Sequence, residues 1–137
     1  MPFVRAKRPV AAAPISFSIY DEFGQVQKVE FVAQYHRHDH GQVADLQDAV
    51  TNHARKANGL PPIVRADGTP IPEWGFPSDM AFIREKLAGW REMVSPDGQP
   101  VAFSIEELDA LVEEVPEAIV PLFNGFFAAH QQAREKN

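Results

Sequence analysis

The chain has 137 residues, 13 Lys and Arg against 19 Asp and Glu, a formal net charge of −6 and no cysteine. That length provides for one modest hydrophobic core. The acidic balance speaks against a nucleic-acid face, which needs clustered cations to meet phosphate, and the missing thiols exclude a disulfide framework and thiolate metal sites.

Arg5, Lys7 and Arg8 form the one basic cluster, in a Pro- and Ala-flanked arm over residues 1–13 that is expected to be flexible. The short Ala-rich run that follows is not a signal-peptide core, and no apolar run approaches the ~20 residues a bilayer requires. A soluble single domain over 1–137, without a membrane partner, is expected. Ile15, Phe17 and Ile19 then alternate with Ser16, Ser18 and Tyr20, the two-residue period of a half-buried strand. Gly24 breaks the pattern, and it resumes at Val29, Phe31, Ala33 and Tyr35, so the two segments predict an antiparallel hairpin. Its apolar face needs cover from helices or from another subunit.

Asp39 followed three residues later by Gln42 predicts a capped helix, with Val43, Leu46 and Val50 at helical spacing and a stop at Gly59. Residues 60–77 contain Pro61, Pro62, Pro70, Pro72 and Pro77, too many for a regular element, and predict a long loop with a small turn at Asp67-Gly68. Trp74 and Phe76 in that loop have two readings, as pins holding it to the domain or as exposed anchors for a partner.

Ser78 is placed to cap the next helix, whose apolar residues Met80, Ile83, Leu87 and Trp90 are spaced three, four and three, with the exit at Gly89. Ser95-Pro96-Asp97-Gly98 predicts a tight turn, and Val101 and Phe103 a short extended return. Ser104-Ile105-Glu106-Glu107 is a capping-box sequence opening a helix that Pro116 terminates. Pro116 suits the start of a further helix, which Pro121 must kink or restart. Along it Ile119, Leu122, Phe123, Phe126, Phe127 and His130 form a broad apolar stripe, read either as core or as one edge of a groove for a partner helix. The elements together predict an α+β fold: an N-terminal antiparallel β-hairpin packed on a small, mostly α-helical domain of about four helices.

One cluster invites a catalytic reading. His36, His38 and His40 alternate on an extended segment beside Asp39, and neutral imidazole is a common zinc ligand. The run differs by one missing residue from the His-x-His-x-Asp-His pattern of metallo-β-lactamase-type hydrolases, and Asp39 is explained as a helix cap. The sequence contains no phosphate loop, nucleophile elbow, cysteine nucleophile or paired-carboxylate arrangement, so a non-enzymatic protein with no cofactor, metal or catalytic residue is expected.

Several segments jointly resemble the tail assembly chaperones of long, non-contractile-tailed bacteriophages and prophages. They are the hairpin end Phe31 to Arg37, Asp79-Met80-Ala81-Phe82-Ile83, Leu87-Ala88-Gly89-Trp90, Asp97-Gly98-Gln99-Pro100-Val101, Phe103 to Leu108, and the Pro-initiated closing helix Pro116 to Arg134. The resemblance covers most of the chain and is strongest from Ser78 onward. Ala102, where relatives often carry proline, and the long 60–77 loop depart from it. The resemblance implies a protein of the host cytoplasm that coats the tape measure protein, hands it to the major tail tube protein and is absent from the finished tail; whether it self-associates is left open. On that reading Trp74, Phe76, Trp90, Phe123, Phe126 and Phe127 are the partner-binding candidates. It also implies a longer form made by a ribosomal slip. Glu135-Lys136-Asn137 is compatible with the codons such a slip needs, and equally with an ordinary polar helix end. Two other functions are an adaptor retained in a phage particle and a small metal-dependent hydrolase built on the His36, His38 and His40 cluster.

Overall fold

Alternation of apolar and polar side chains brings two strands together at the amino end of the computed structural model, which describes residues 8–135. β1 (Val10–Tyr20) and β2 (Val26–His36) pair antiparallel, with Ile15 opposite Phe31 and Phe17 opposite Val29. Next come α1 (His40–Ala57), α2 (Asp79–Lys86), β3 (Leu87–Arg91), α3 (Ile105–Glu114), a 3-10 turn (Pro116–Ala118) and α4 (Ile119–Glu135). The fold is α+β: among the described residues, a three-stranded antiparallel sheet in the order β1-β2-β3 with four α-helices.

β1 begins earlier than the large alternating residues indicate. Residues 10–13, expected in the flexible arm, continue the strand, and Ala11 and Ala13 are buried. Alanine is a poor strand former, yet a methyl is the side chain that a closely approaching helix leaves room for. Residues 1–7 of the expected arm, and Lys136 and Asn137, lie outside the described residues. The hairpin turn is organised by Asp21, whose carboxylate accepts from Gln25 N and Phe23 N, each at 2.9 Å, and from Gln27 Nε2 at 3.0 Å. Led by the bond from Gln25 N, then that from Gln27, these donors hold the Asp21 carboxyl below its ordinary value of 3.8.

The segment 87–91 corrects the expected helix. α2 is capped by Ser78, whose Oγ accepts from Ala81 N at 3.1 Å, but it ends at Lys86, and Leu87 turns into β3. β3 pairs with β2 with Tyr35 opposite Leu87 but Gln34 opposite Gly89, so Ala88 is an extra residue forming a bulge. The bulge explains how a helical spacing belongs to a strand. Leu87 and Trp90, three apart, would point to opposite faces of a regular strand. With Ala88 looped out, Leu87 lies opposite Tyr35 and Trp90 opposite Ala33, and both are buried on the core side.

The core lies where α4 crosses β1 and β2. Leu122, Phe126 and Ala129 from α4 meet Ala13, Ile15, Phe31, Ala33 and Tyr35 from the sheet, all buried. Tyr35 is sealed, and its hydroxyl donates to the Leu122 carbonyl at 2.6 Å. Burial pushes the Tyr35 phenol pKa up, so it stays a neutral donor. Gly125 makes this approach possible: a methyl there would overlap the Tyr35 hydroxyl and come within 2.8 Å of Ile15 Cδ1. α2 packs on α4, and Arg84 reaches α3, donating from Nε at 3.0 Å and Nη2 at 2.7 Å to Asp109 Oδ1. That pair is half-exposed and orients α3 more than it stabilises it.

The remaining local signals are met with two qualifications. Ser104 Oγ accepts from Glu107 N at 3.0 Å, but the full reciprocal box forms at Asp39, where Gln42 N donates to Asp39 Oδ1 at 2.8 Å and Asp39 N to Gln42 Oε1 at 3.0 Å. Pro121 restarts rather than kinks: the chain passes from the 3-10 turn into α4 at Ile119, so Pro121 sits in a first turn where its missing N–H is not needed. The described residues fall into two compact units, one of residues 8–37 together with 78–135 and the other His38–Pro77.

Two outcomes follow from the first unit. Gly125→Ala gains about 1 kcal/mol of helix propensity, but the overlap with a Tyr35 ring that cannot move costs ~1–3 kcal/mol, so urea denaturation is expected to show a net loss of stability, smaller in a Tyr35→Phe background. Glu92, directly after β3, has φ +65°. Relief of that left-handed conformation by Glu92→Gly outweighs the added chain entropy, and thermal unfolding is expected to show a gain of about 0.5–1 kcal/mol.

Candidate functional site

The aromatic stripe of α4 divides by depth. Phe126 is fully buried, with its ring edge-on to Phe82 at 5.2 Å and to Tyr35 at 5.9 Å. Phe82, from α2, is also sealed and forms the floor for two outer rings, Phe123 at 4.8 Å and Phe127 at 5.9 Å, the latter stacked parallel to it. Phe123 and Phe127 are half-buried, one helical turn apart and 5.9 Å from each other. Val120, on the same side of α4 one turn earlier, is 61% exposed. From Ile119 to Gln131 α4 carries no charged side chain. The result is an apolar, uncharged strip whose rings are held from behind by buried aromatic contacts, each such pair adding about 0.5–1.5 kcal/mol beyond area burial.

Not every expected contact residue belongs to it. Phe126 is core. Trp90 is 8% exposed, with its indole N–H donating to the Val101 carbonyl at 2.8 Å and its ring edge-on to Phe103 at 5.0 Å and Phe31 at 6.3 Å. In β3 it lies opposite Ala33 on the core side and presents little surface. His130, at the inner edge of α4, is buried, and Nδ1 lies 2.8 Å from the Phe126 carbonyl, which makes it the protonated nitrogen. One feature went unread in the sequence: the hairpin turn exposes Phe23 (79%) and Tyr20 (75%), together with Val26. Its signal was an aromatic residue between Asp21 and Gly24, where a turn ordinarily carries polar side chains.

The second unit contains Trp74 and Phe76, half-buried, with ring centroids 5.0 Å apart and tilted by 52°. The loop that carries them is ordered without strands. α1 ends on Gly59, φ +70°, with Leu60 N donating to the Arg55 carbonyl at 2.8 Å and Gly59 N to the Lys56 carbonyl at 3.1 Å. α1 side chains then hold the loop backbone. Ile63 N donates to Asn52 Oδ1 at 2.7 Å, and Arg55 Nε to the Pro61 carbonyl at 2.6 Å. Arg65 returns the attachment, donating from Nε to Asp48 at 2.8 Å and from Nη2 to Asp45 at 2.7 Å, and its Nη1 reaches the Pro70 carbonyl at 3.2 Å. Two carboxylates raise the Arg65 pKa, the bond to Asp45 first and that to Asp48 second. The turn expected at Asp67-Gly68 forms, with Gly68 N donating to the Arg65 carbonyl at 3.0 Å, but no strands flank it. Beside it lies a shallow, open cleft of about 370 Å³ lined by Asn52, Ile63, Arg65, Thr69 and Ile71 among others.

The histidine cluster is divided between the units, with His36 closing β2 and His38 and His40 flanking the cap residue Asp39. Among the described residues no group of three His, Cys, Asp or Glu side chains is arranged to hold a metal ion, and no helix is long and apolar enough to cross a membrane.

The Asn52 bridge is open to a direct test. Asn52→Ala leaves the Ile63 amide without its acceptor, and amide hydrogen exchange at Ile63 is expected to speed up about tenfold, corresponding to ~1.4 kcal/mol, with the helical circular dichroism signal unchanged.

The chain matches no protein-family model, no curated protein and no solved structure.

Proposed function

We propose that this protein is a tail assembly chaperone of a long, non-contractile-tailed bacteriophage or prophage. It covers apolar helical segments of the tape measure protein in the host cytoplasm and passes them to the major tail tube protein, and it acts by binding alone. The observation that carries the reading is the α4 strip, where exposed Val120 and half-buried Phe123 and Phe127 form an uncharged band over the sealed Phe82 and Phe126. Rings already locked by their neighbours lose little entropy when a client helix docks, which favours affinity without reactive groups. The motifs from Ser78 to Arg134 that resemble the chaperone family include this helix and the α2 segment beneath it. Trp74 and Phe76 form a second aromatic pair, on the other unit.

The test is fluorescence titration with overlapping helical peptides of a tape measure protein encoded in the same genome. At least one peptide is expected to bind, and the double variant Phe123→Ser, Phe127→Ser to weaken it at least tenfold, about 1.4 kcal/mol or more, while remaining folded by circular dichroism. Failure of every peptide, or unchanged affinity in the variant, would overturn the reading. Purified phage particles are expected to lack the protein, and its presence there would instead favour an adaptor that stays in the particle.

A further inference from the structure

β1 is an outer strand of the sheet, so among the described residues one of its edges has no neighbouring strand. Pro14 reveals which backbone groups point that way. It pairs with Val32 without having an N–H to give, so it occupies a ladder position whose polar groups face away from β2. In an antiparallel ladder this phase alternates, which turns the N–H and C=O groups of Ser16, Ser18 and Tyr20 to the open edge as well. Arg37 N donating to the Pro9 carbonyl at 3.2 Å fits the same phase, with odd-numbered β1 residues bonded to β2.

Between Pro14 and the turn that begins at Asp21, residues 16–20 read Ser-Phe-Ser-Ile-Tyr. They carry no charge, proline or bulge, the devices by which natural sheets blunt their edges. Ser16 and Ser18 are exposed, Phe17 and Ile19 are only half-buried, and Tyr20 is exposed. Among the described residues, no hydrogen bond from outside the hairpin reaches Ser16 or Ser18.

We propose that this edge pairs antiparallel with the same segment of a second copy of the chain, about a two-fold axis at Ser18, joining two three-stranded sheets into one. The segment is complementary to itself. Such pairing places Ser18 against Ser18 and Ser16 against Tyr20 as hydrogen-bonded pairs, and Phe17 against Ile19 as the closer, non-bonded pair, apolar against apolar on the half-covered face. The register is restricted from both sides. A centre at Phe17 sets Tyr20 against Pro14, which has no N–H to give, and a centre at Ile19 leaves only Ser18 and Tyr20 to bond before the turn. A centre at Ser16 sets Ser18 against Pro14, which has no N–H, and a centre at Tyr20 runs into the turn. The net charge of −6 opposes self-association at long range, but none of it lies in the paired segment. The inference is independent of the chaperone reading.

The test uses the full chain. Light scattering across a dilution series is expected to show a dimer for the wild type. Ser18→Pro, which removes an outward N–H and leaves the ladder to β2 intact, is expected to weaken that dimer at least about tenfold. Ser18→Lys brings two ammonium groups together at the axis without the backbone change and is expected to weaken it in a way that added salt partly restores. The chain has no cysteine, so register can be read directly. On mild oxidation Ser18→Cys is expected to form a disulfide-linked dimer, since bonded partners lie about 5.5 Å apart at Cα, while Ser16→Cys, about 14 Å from its counterpart at 3.4 Å per residue, is not. A wild type that stays monomeric, a dimer indifferent to both Ser18→Pro and Ser18→Lys, or equal cross-linking at 16 and 18 would each overturn the proposal.

Discussion

The distance at which α4 crosses the sheet governs the rest of the first unit. Gly125 has no side chain where Tyr35 and Ile15 press against the helix, and the Tyr35 hydroxyl uses the space to reach the Leu122 carbonyl. A buried phenol that could not donate would be a destabilising group in this core; with its partner it fixes both the rotation and the height of α4 over β2. The alanines of the sheet make sense in the same terms. Ala11, Ala13 and Ala33 are small where the helix comes near, and Phe31, Ile15 and Phe126 fill the volume between.

Once α4 is fixed at that rotation, its aromatic stripe is wider than the sheet and α2 cover. Leu122 and Phe126 turn inward, while Phe123 and Phe127 lie over Phe82 at the rim. The same helix therefore contributes both core and surface, and the surface rings are supported by the core rings. On the proposed function this arrangement supplies an apolar contact area whose geometry is set before any client arrives.

The second unit is ordered by a different principle. Its prolines remove backbone donors, so a sheet ladder is not available to satisfy the carbonyls of residues 60–77. Side chains take over: Asn52 and Arg55 from α1 bond the loop backbone, and Arg65 from the loop bonds both α1, through Asp45 and Asp48, and the Pro70 carbonyl. These contacts span 5 to 20 residues of sequence and leave no periodic trace in it. A composition that signals irregular backbone thus says nothing about whether that backbone is held.

The elements legible in the residue order are those decided by near neighbours. Asp39 with Gln42, Ser78, Ser104, Gly59 and the Asp97-Gly98 turn work through hydrogen bonds and φ preferences within a few residues, and the hairpin follows from strict alternation on either side of one turn. Part of the candidate site was legible in the same way, as a stripe on α4, but not its division into sealed and outer rings, because burial depends on what α2 and the sheet place against each position. Leu87 to Trp90 shows the limit most plainly. Their spacing suits a helix and a bulged strand equally well, and the choice went to the strand because β2 has an open edge at residues 32–35 and a core-facing place for Trp90 beside Ala33. Sequence alone determined where the chain caps, turns and alternates, since those energies are local; the tertiary structure decided which ambiguous segments join the sheet and which aromatic rings reach the surface, since those energies arise only when distant segments meet.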